Sequence, residues 1–389
     1  MTAVGTSLDH LHDTFRRWLS DGYDLAAIDA TVATAAAGQF GGDPLWLMVI
    51  GGSGGAKTET VCALASVQAH MISTISSEAA LLTASTPKKP TKEATGGLLR
   101  EIGANGLLVI KDFTSLMSMP PQTRAAMLAA LREIHDGHWQ RRVGFEGGRV
   151  LEWHGHLTIV AACTTAWDFA HAVVASMGDR FVILRMDTNS DAQRLQAAGQ
   201  AWANLGREAE MRAELRDAVQ HVVRSALPLN GFYLSGREAD YLNQLAAFVT
   251  RCRTAVEGNY RGEPVQAHVS EAPGRLIKQL GQLLRGAISI GMPRTDAFAL
   301  VRRCAFDSMP PLRLRLLKAL AGQGQQTVST LADWLNQVWT TTKNHLQALV
   351  LLGLVHIDIV DEGAYDGRTH RLYSLAEGIE PLLNGDWPS

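Results

Sequence analysis

Four short segments of this chain are apolar at almost every position: LWLMVI (45–50), GLLVI (106–110), LTIVAAC (157–163) and RFVILRM (180–186). A strand covered on one face alternates apolar and polar side chains, whereas a run without a polar face suits burial on both faces. Helical periodicity separates these runs, in ETVCALASVQ (59–68) and QTRAAMLAALREIH (122–135). Two further helices, LDHLHDTFRRWLS and LAAIDATVATAAAG, are predicted across 8–38. Buried strands alternating with helices predict an α/β fold built on a parallel sheet. Directly before the third run, DGHWQRRVGFEGGRVLEW (136–153) reads as a β-hairpin with Gly147 and Gly148 at its tip.

After Asp187 the pattern turns helical and stays so to about Ala321, with loops expected at 228–231 and 258–264. A helix over 312–321 is then followed by TVSTLADWLN, WTTTKNHLQALVLLGL, and two short strands, HIDIV (356–360) and HRLYSL (370–375). Three helices and a hairpin, in that order, predict a winged helix-turn-helix. The expected division is therefore N-terminal helices over 1–40, an α/β core over 41–190, a helical lid over 191–308 and a winged helix over 309–389.

Composition narrows the classes. At 389 residues, 46% hydrophobic and 19% charged, the chain can bury a real core. Its net charge is 36 − 38 = −2, which excludes holding nucleic acid by bulk electrostatics. The four cysteines lie far apart with no CxxC pair, which disfavours a disulfide framework or zinc ribbon and suits a reducing compartment. No targeting or membrane segment is apparent, so a cytoplasmic protein without membrane partners is expected.

The first apolar run ends in Gly51-Gly52-Ser53-Gly54-Gly55-Ala56-Lys57-Thr58, and helical character resumes at once. Strand, glycine-rich turn and helix form the context of a phosphate loop. Its backbone N–H groups turn inward around a phosphate, Lys57 adds a point charge, and Thr58 can ligate Mg²⁺, with ATP the implied nucleotide. Ala56 stands where the pattern has glycine; at the first turn of a helix, with negative φ, its Cβ is expected to be tolerated.

The second run continues into GLLVIKDFTSL, which resembles the Walker B segment of AAA+ ATPases. In that register Lys111 replaces the magnesium-associated aspartate, and Asp112 is left to serve both metal and attacking water. Slow hydrolysis follows from a single carboxylate. Further segments resemble the same superfamily in order along 45–290, specifically the clade with a pre-sensor-1 hairpin that includes minichromosome maintenance helicases. The hairpin precedes the third strand, and VAACTTAWD is similar to the sensor-1 end, with Thr164 at the sensor position and Thr165 the alternative. MGDRFVILRM places Arg180 as an arginine finger acting in trans, and EAPGRLIKQLGQLLRGA places Arg275 as sensor 2. The resemblance implies self-assembly into a ring or arc, commonly a hexamer, and a setting among AAA+ proteins of bacterial mobile elements and phages.

DNA contacts are expected at two places. The hairpin offers Arg141, Arg142 and Arg149 beside Trp139, Phe145 and Trp153, suited to gripping phosphates and stacking on bases in a ring pore, or to packing on its own domain. The winged helix offers Lys343 and Asn344 on a recognition helix and Arg368 and Arg371 on the wing. Residues 311–389 nonetheless carry 6 Lys/Arg against 8 Asp/Glu, so a protein partner is the alternative there. The reading that unites these features is an oligomeric, DNA-associated, helicase-like ATPase. A nucleotide-switched transcriptional regulator, or a loader of a protein partner, is the competing class.

Overall fold

All four apolar runs are strands of one sheet. The computed structural model describes residues 6–83, 96–144, 149–169, 179–187, 190–227, 229, 232–361 and 369–384. In chain order the sheet takes β1 (Trp46–Ile50), β2 (His70–Ile72), β3 (Asn105–Ile110), β6 (His156–Cys163) and β7 (Val182–Arg185). The strands lie in the order β2–β3–β6–β1–β7 and every neighbouring pair is parallel. Every residue of β1, an interior strand, is buried, which is why no polar position interrupts it. The short β2 has no such signature, because its three residues are all half-buried.

The chain forms two compact units, the first comprising Met1–Trp167, Arg180–Phe232 and Lys278–Cys304. Around its sheet stand α1 (Ser7–Leu19), α2 (Leu25–Ala37), α3 (Lys57–Cys62), α4 (Pro121–His135), α5 (Asp191–Ala203) and α6 (Glu208–Arg224). A capping box between Thr6 and Asp9 starts α1. The alanine-rich α2 packs on β1, β6 and β7 and is buried almost throughout. Thr31 and Thr34 are sealed inside and satisfy their hydroxyls by donating to the carbonyls of Ala27 and Ala30, each at 2.7 Å.

Small side chains let another backbone come close to α2. Gly286 does so: a Cβ placed there would lie 2.0 Å from the Ala33 carbonyl oxygen. Because the obstacle is backbone, Gly286→Ala is expected to destabilise the first unit by about 1–2 kcal/mol despite the better helix propensity of alanine. A urea midpoint equal to or above that of wild type contradicts this packing.

The predicted hairpin is present as β4 (His138–Val143) against antiparallel β5 (Arg149–His154). Trp139 faces Trp153 across the strands, both are buried, and the Trp153 indole donates to the Gly103 carbonyl at 2.7 Å. These two rings pack the hairpin on its own unit, so of the two roles open to them the packing role is observed. The tip, with Gly147 and Gly148, lies outside the described residues.

The second unit comprises Asp168–Asp179, Tyr233–Ile277 and Ala305–Ser389. It opens its helical part with α7 (Gly236–Arg253), capped reciprocally by Ser235 and Glu238. The expected loop at 258–264 is in fact the turn of a hairpin, β8 (Val256–Gly258) with β9 (Pro264–Ala267), so the region after Asp187 is not helical throughout. The pattern hid it because strands of three and four residues are too short to show a period. Next come α8 (Gly274–Ser289) and α9 (Arg294–Asp307), whose stretches from Lys278 to Cys304 belong to the first unit. The C-terminal part holds α10 (Pro311–Gln323), α11 (Val328–Trp334), α12 (Trp339–Leu351), and the antiparallel pair β10 (Val355–Asp361) and β11 (Thr369–Leu375). Gln326 adds a bridge to the buried Tyr373 of β11, pinning α11 to the hairpin. Among the described residues no helix is long and apolar enough to cross a membrane.

Candidate nucleotide site

β1 ends at Ile50 and α3 starts at Lys57, so the glycine-rich turn joins a strand's carboxyl end to a helix. A Cβ on Gly51 would meet Lys57 Cδ at 3.3 Å and Met186 Cβ at 3.4 Å. Glycine there leaves room for the lysine stem. Lys57 is buried and its ammonium donates to the Gly52 carbonyl. Burial pushes the Lys57 pKa down, opposed by the nearby Cys163 and the Asp112 carboxylate.

One expectation about the loop fails. Ala56 caps α3 with φ 59° and ψ 5°, in the left-handed region, and not with the negative φ of a helical first turn. The position requires a left-handed backbone, which explains why the motif favours glycine there; alanine bears a strain of about 1 kcal/mol.

β6 lies between β1 and β3, and the carboxyl ends of the three strands converge, the usual place for a ligand on an open parallel sheet. Beyond β3 the Asp112 N–H donates to the Ser73 carbonyl at 2.9 Å, and the exposed Asp112 carboxylate accepts from the Ser115 hydroxyl. Asp112 acts electrostatically on Lys57, whereas the Lys111 charge is felt at Cys62 on the far end of α3. Neighbours in sequence, the two side chains therefore serve different surroundings. At the end of β6, the Thr164 N–H donates to the Thr114 hydroxyl at 3.0 Å, and the two hydroxyls are 3.3 Å apart. Thr114 escaped the sequence reading; a threonine two residues beyond the Walker-like aspartate carries no motif.

Beside the loop is a pocket of about 450 Å³, walled by the α1–α2 turn, Gly52–Ala56, Met186, Asp187 and α5. That volume lies in the range of small-ligand sites. Its walls are fixed by polar contacts: the Tyr23 hydroxyl is 2.8 Å from the Thr60 hydroxyl, and burial pushes Tyr23 well above the usual tyrosine range. Asp24 accepts from Arg303 Nη1 at 2.7 Å and from the Asp187 N–H at 2.8 Å. Apart from Gly52–Ala56, none of these wall residues was legible beforehand, because the others come from three segments far apart in sequence.

The remaining candidates are placed as follows. Arg180 is 9% exposed and its Nη2 lies 3.4 Å from Asp136 Oδ2, so it is engaged within its own unit and not displayed. Burial pulls Asp136 up, but Arg180 and His135 outweigh it and hold the carboxyl below its usual range. Arg275 belongs to the second unit, where Nη1 meets Glu271 Oε1 at 2.5 Å. Arg141 donates to the Leu82 carbonyl at 3.1 Å and Arg142 is exposed. In the second unit Asn344 donates to the Gly262 carbonyl at 3.1 Å, Lys343 Nζ is 3.9 Å from Glu263, and Arg371 is exposed. Arg368 and the side chain of Arg149 lie outside the described residues.

No family model matches the chain, and no curated protein matches it. Among solved structures it is similar to SCCmec type IV Cch, described as an active helicase, at 11% identity over 96% of this chain and 71% of that one, with a TM-score of 0.34. It is also similar to the apo A form of the NrS-1 C-terminal region, at 8% identity over 95% of this chain and 76% of that one, with a TM-score of 0.25. At those scores the likenesses fix neither family nor activity, and the convergence of Lys57, Asp112 and Thr164 beside a pocket is what describes the site.

Proposed function

We propose that this chain is an ATP-binding P-loop ATPase of the AAA+ type, acting as an oligomeric, DNA-associated motor or remodeller. The observation that carries the reading is that convergence at the ends of β1, β3 and β6, next to a pocket of nucleoside size. In this arrangement the loop Gly51–Thr58 cradles the β-phosphate, Lys57 turns from the Gly52 carbonyl to the phosphates, and the base and ribose enter the pocket under α5. Mg²⁺ would fit the donor set, since it binds through one or two protein oxygens plus phosphates: the Thr58 hydroxyl and Asp112 would hold it, and when bound it would supply charge neutralisation at the phosphates. Thr164, fixed by Thr114, addresses the γ-phosphate. Arg180 reaches a neighbour's nucleotide only once its pair with Asp136 opens, and Arg275 acts as sensor 2 only once released from Glu271. A winged helix made of α10–α12, β10 and β11 belongs to the same proposal.

A second reading, a nucleotide-set switch, is favoured by one observation: the site holds a single Walker-type carboxylate, with Lys111 as the neighbouring residue, whose charge acts on Cys62. Turnover separates the two, since a rate well below about one per minute lies far under ordinary enzymes. For the motor, DNA raises turnover and Asp112→Asn lowers it about 30-fold, roughly 2 kcal/mol of transition-state stabilisation. ATP turnover that ignores both DNA and the Asp112 substitution overturns the ATPase assignment.

A further inference from the structure

The hairpin β8–β9 and the start of α12 make one surface in the second unit. At the hairpin tip Asn259 Oδ1 accepts from the N–H groups of Arg261 and Glu263 at 2.9 and 3.0 Å, and Gly262 takes φ +76°. The tip is thus a fixed turn that holds Tyr260 out, 88% exposed, with the Arg261 guanidinium 5.2 Å from its ring centroid. Asn344 fastens this tip to α12 through the Gly262 carbonyl. On α12 itself Trp339 is 47% exposed and carries the Lys343 ammonium 5.7 Å from its ring centroid. Trp334, at the end of α11, is 50% exposed.

We infer that this surface binds single-stranded nucleic acid by stacking bases on Tyr260 and Trp339 while Arg261 and Lys343 meet phosphates. The choice of nucleic acid rests on the DNA-associated reading above; the choice of a single strand rests on geometry. A major groove about 12 Å wide admits one helix, and the hairpin tip is fastened onto α12 through Asn344, one of the residues that would enter it. Two exposed rings, each with its own cation, instead match the recurring composition of single-strand sites. The charge also fits. The chain is too neutral to hold a duplex by its field, but two cations beside two rings suffice where stacking supplies much of the affinity.

The test uses the full chain without nucleotide and an oligothymidylate of about 15 residues, alone and with 5-iodouracil for photocrosslinking. Crosslinks are expected on the peptides bearing Tyr260 and Trp339, and Tyr260→Ala and Trp339→Ala each weaken binding about tenfold or more. With two phosphate contacts, log K falls with log salt at a slope near about −1.4, and Arg261→Ala or Lys343→Ala each removes about half of it. Both rings are exposed, so these variants keep the fold. Absence of binding, crosslinks confined elsewhere, or tighter binding of the matching duplex overturns the inference, and absence of binding leaves the surface to a protein partner. Lys57→Ala separates the two readings: loss of ATP binding with oligothymidylate binding intact is expected. Crosslinking at these rings by a chain that binds no ATP upholds this surface and sinks the ATPase.

Discussion

Replacing Lys57 by alanine or methionine is expected to weaken ATP binding by about 30- to 100-fold while leaving the nucleotide-free protein as stable as before. The loss corresponds to roughly 2–3 kcal/mol, the size of a charge-assisted hydrogen bond to phosphate. The unchanged stability has a separate cause. The ammonium is buried and donates to a carbonyl, Gly52, so folding already bears part of its desolvation. Burial lowers the Lys57 pKa for the same reason, against the pull of Cys163 and Asp112. Rising pH therefore neutralises Lys57 earlier than an ordinary lysine and weakens ATP binding in the alkaline range; Lys57→Arg, which cannot lose its proton, removes that dependence. Calorimetric titration with ATP and urea unfolding without it check both halves. A Lys57→Met protein that binds ATP like wild type excludes this loop as the phosphate site.

The candidate site was partly legible because its pattern is local. A glycine-rich turn between strand and helix, an acid after a buried strand and a polar residue ending another strand each leave a mark within ten residues or so, and the parallel sheet then sets the ends of β1, β3 and β6 side by side. The buried strands were legible for a similar reason: β1 and β6 have no polar face to disguise them. What escaped reading is non-local or conformational. The pocket takes Tyr23, Met186 and Arg194 from separate segments, and no pattern within any one of them signals a ligand. The backbone of Ala56 is set by the path from β1 to α3, so the residue's identity argued for one φ and the fold imposes the other. The β8–β9 hairpin has strands too short for periodicity, yet it changes the meaning of Lys343 and Asn344, which look like groove readers in sequence and hold a neighbouring turn in the structure.

The second unit is expected to lose about 1.5 kcal/mol of stability between pH 7.5 and pH 5, through His345 on α12. Burial lowers the pKa of this imidazole, and the nearby Arg313 guanidinium lowers it further, to about 4. Arg313 is itself buried, donating from Nη1 to the carbonyls of Cys252 and Thr254 at 2.7 Å each, so it stays where it repels a second cation. Burial also pushes the Cys252 thiol up to about 12, so it brings no negative charge to help. His345 is therefore neutral in the folded unit at pH 7. In the unfolded chain it titrates near 6.5. Below that value the unfolded state takes up a proton that the folded state refuses, so stability is complete above pH 6.5 and falls until pH passes the folded pKa. Between pH 7.5 and 5 the two pKa values give about 2 kcal/mol, which the partial exposure of the ring trims towards about 1.5. His345→Gln, which keeps a polar group without a titrating one, flattens this part of the pH profile. Asp29 in the first unit works in the opposite sense: burial raises its pKa against the hydrogen bond from His12, so folding there gains as pH falls. The two signs demand a local probe. Hydrogen exchange of α12 peptides, compared with those of α2 at both pH values, should show α12 losing protection on acidification in the wild type and keeping it in His345→Gln. Equal loss in both proteins assigns the acid sensitivity to some other group.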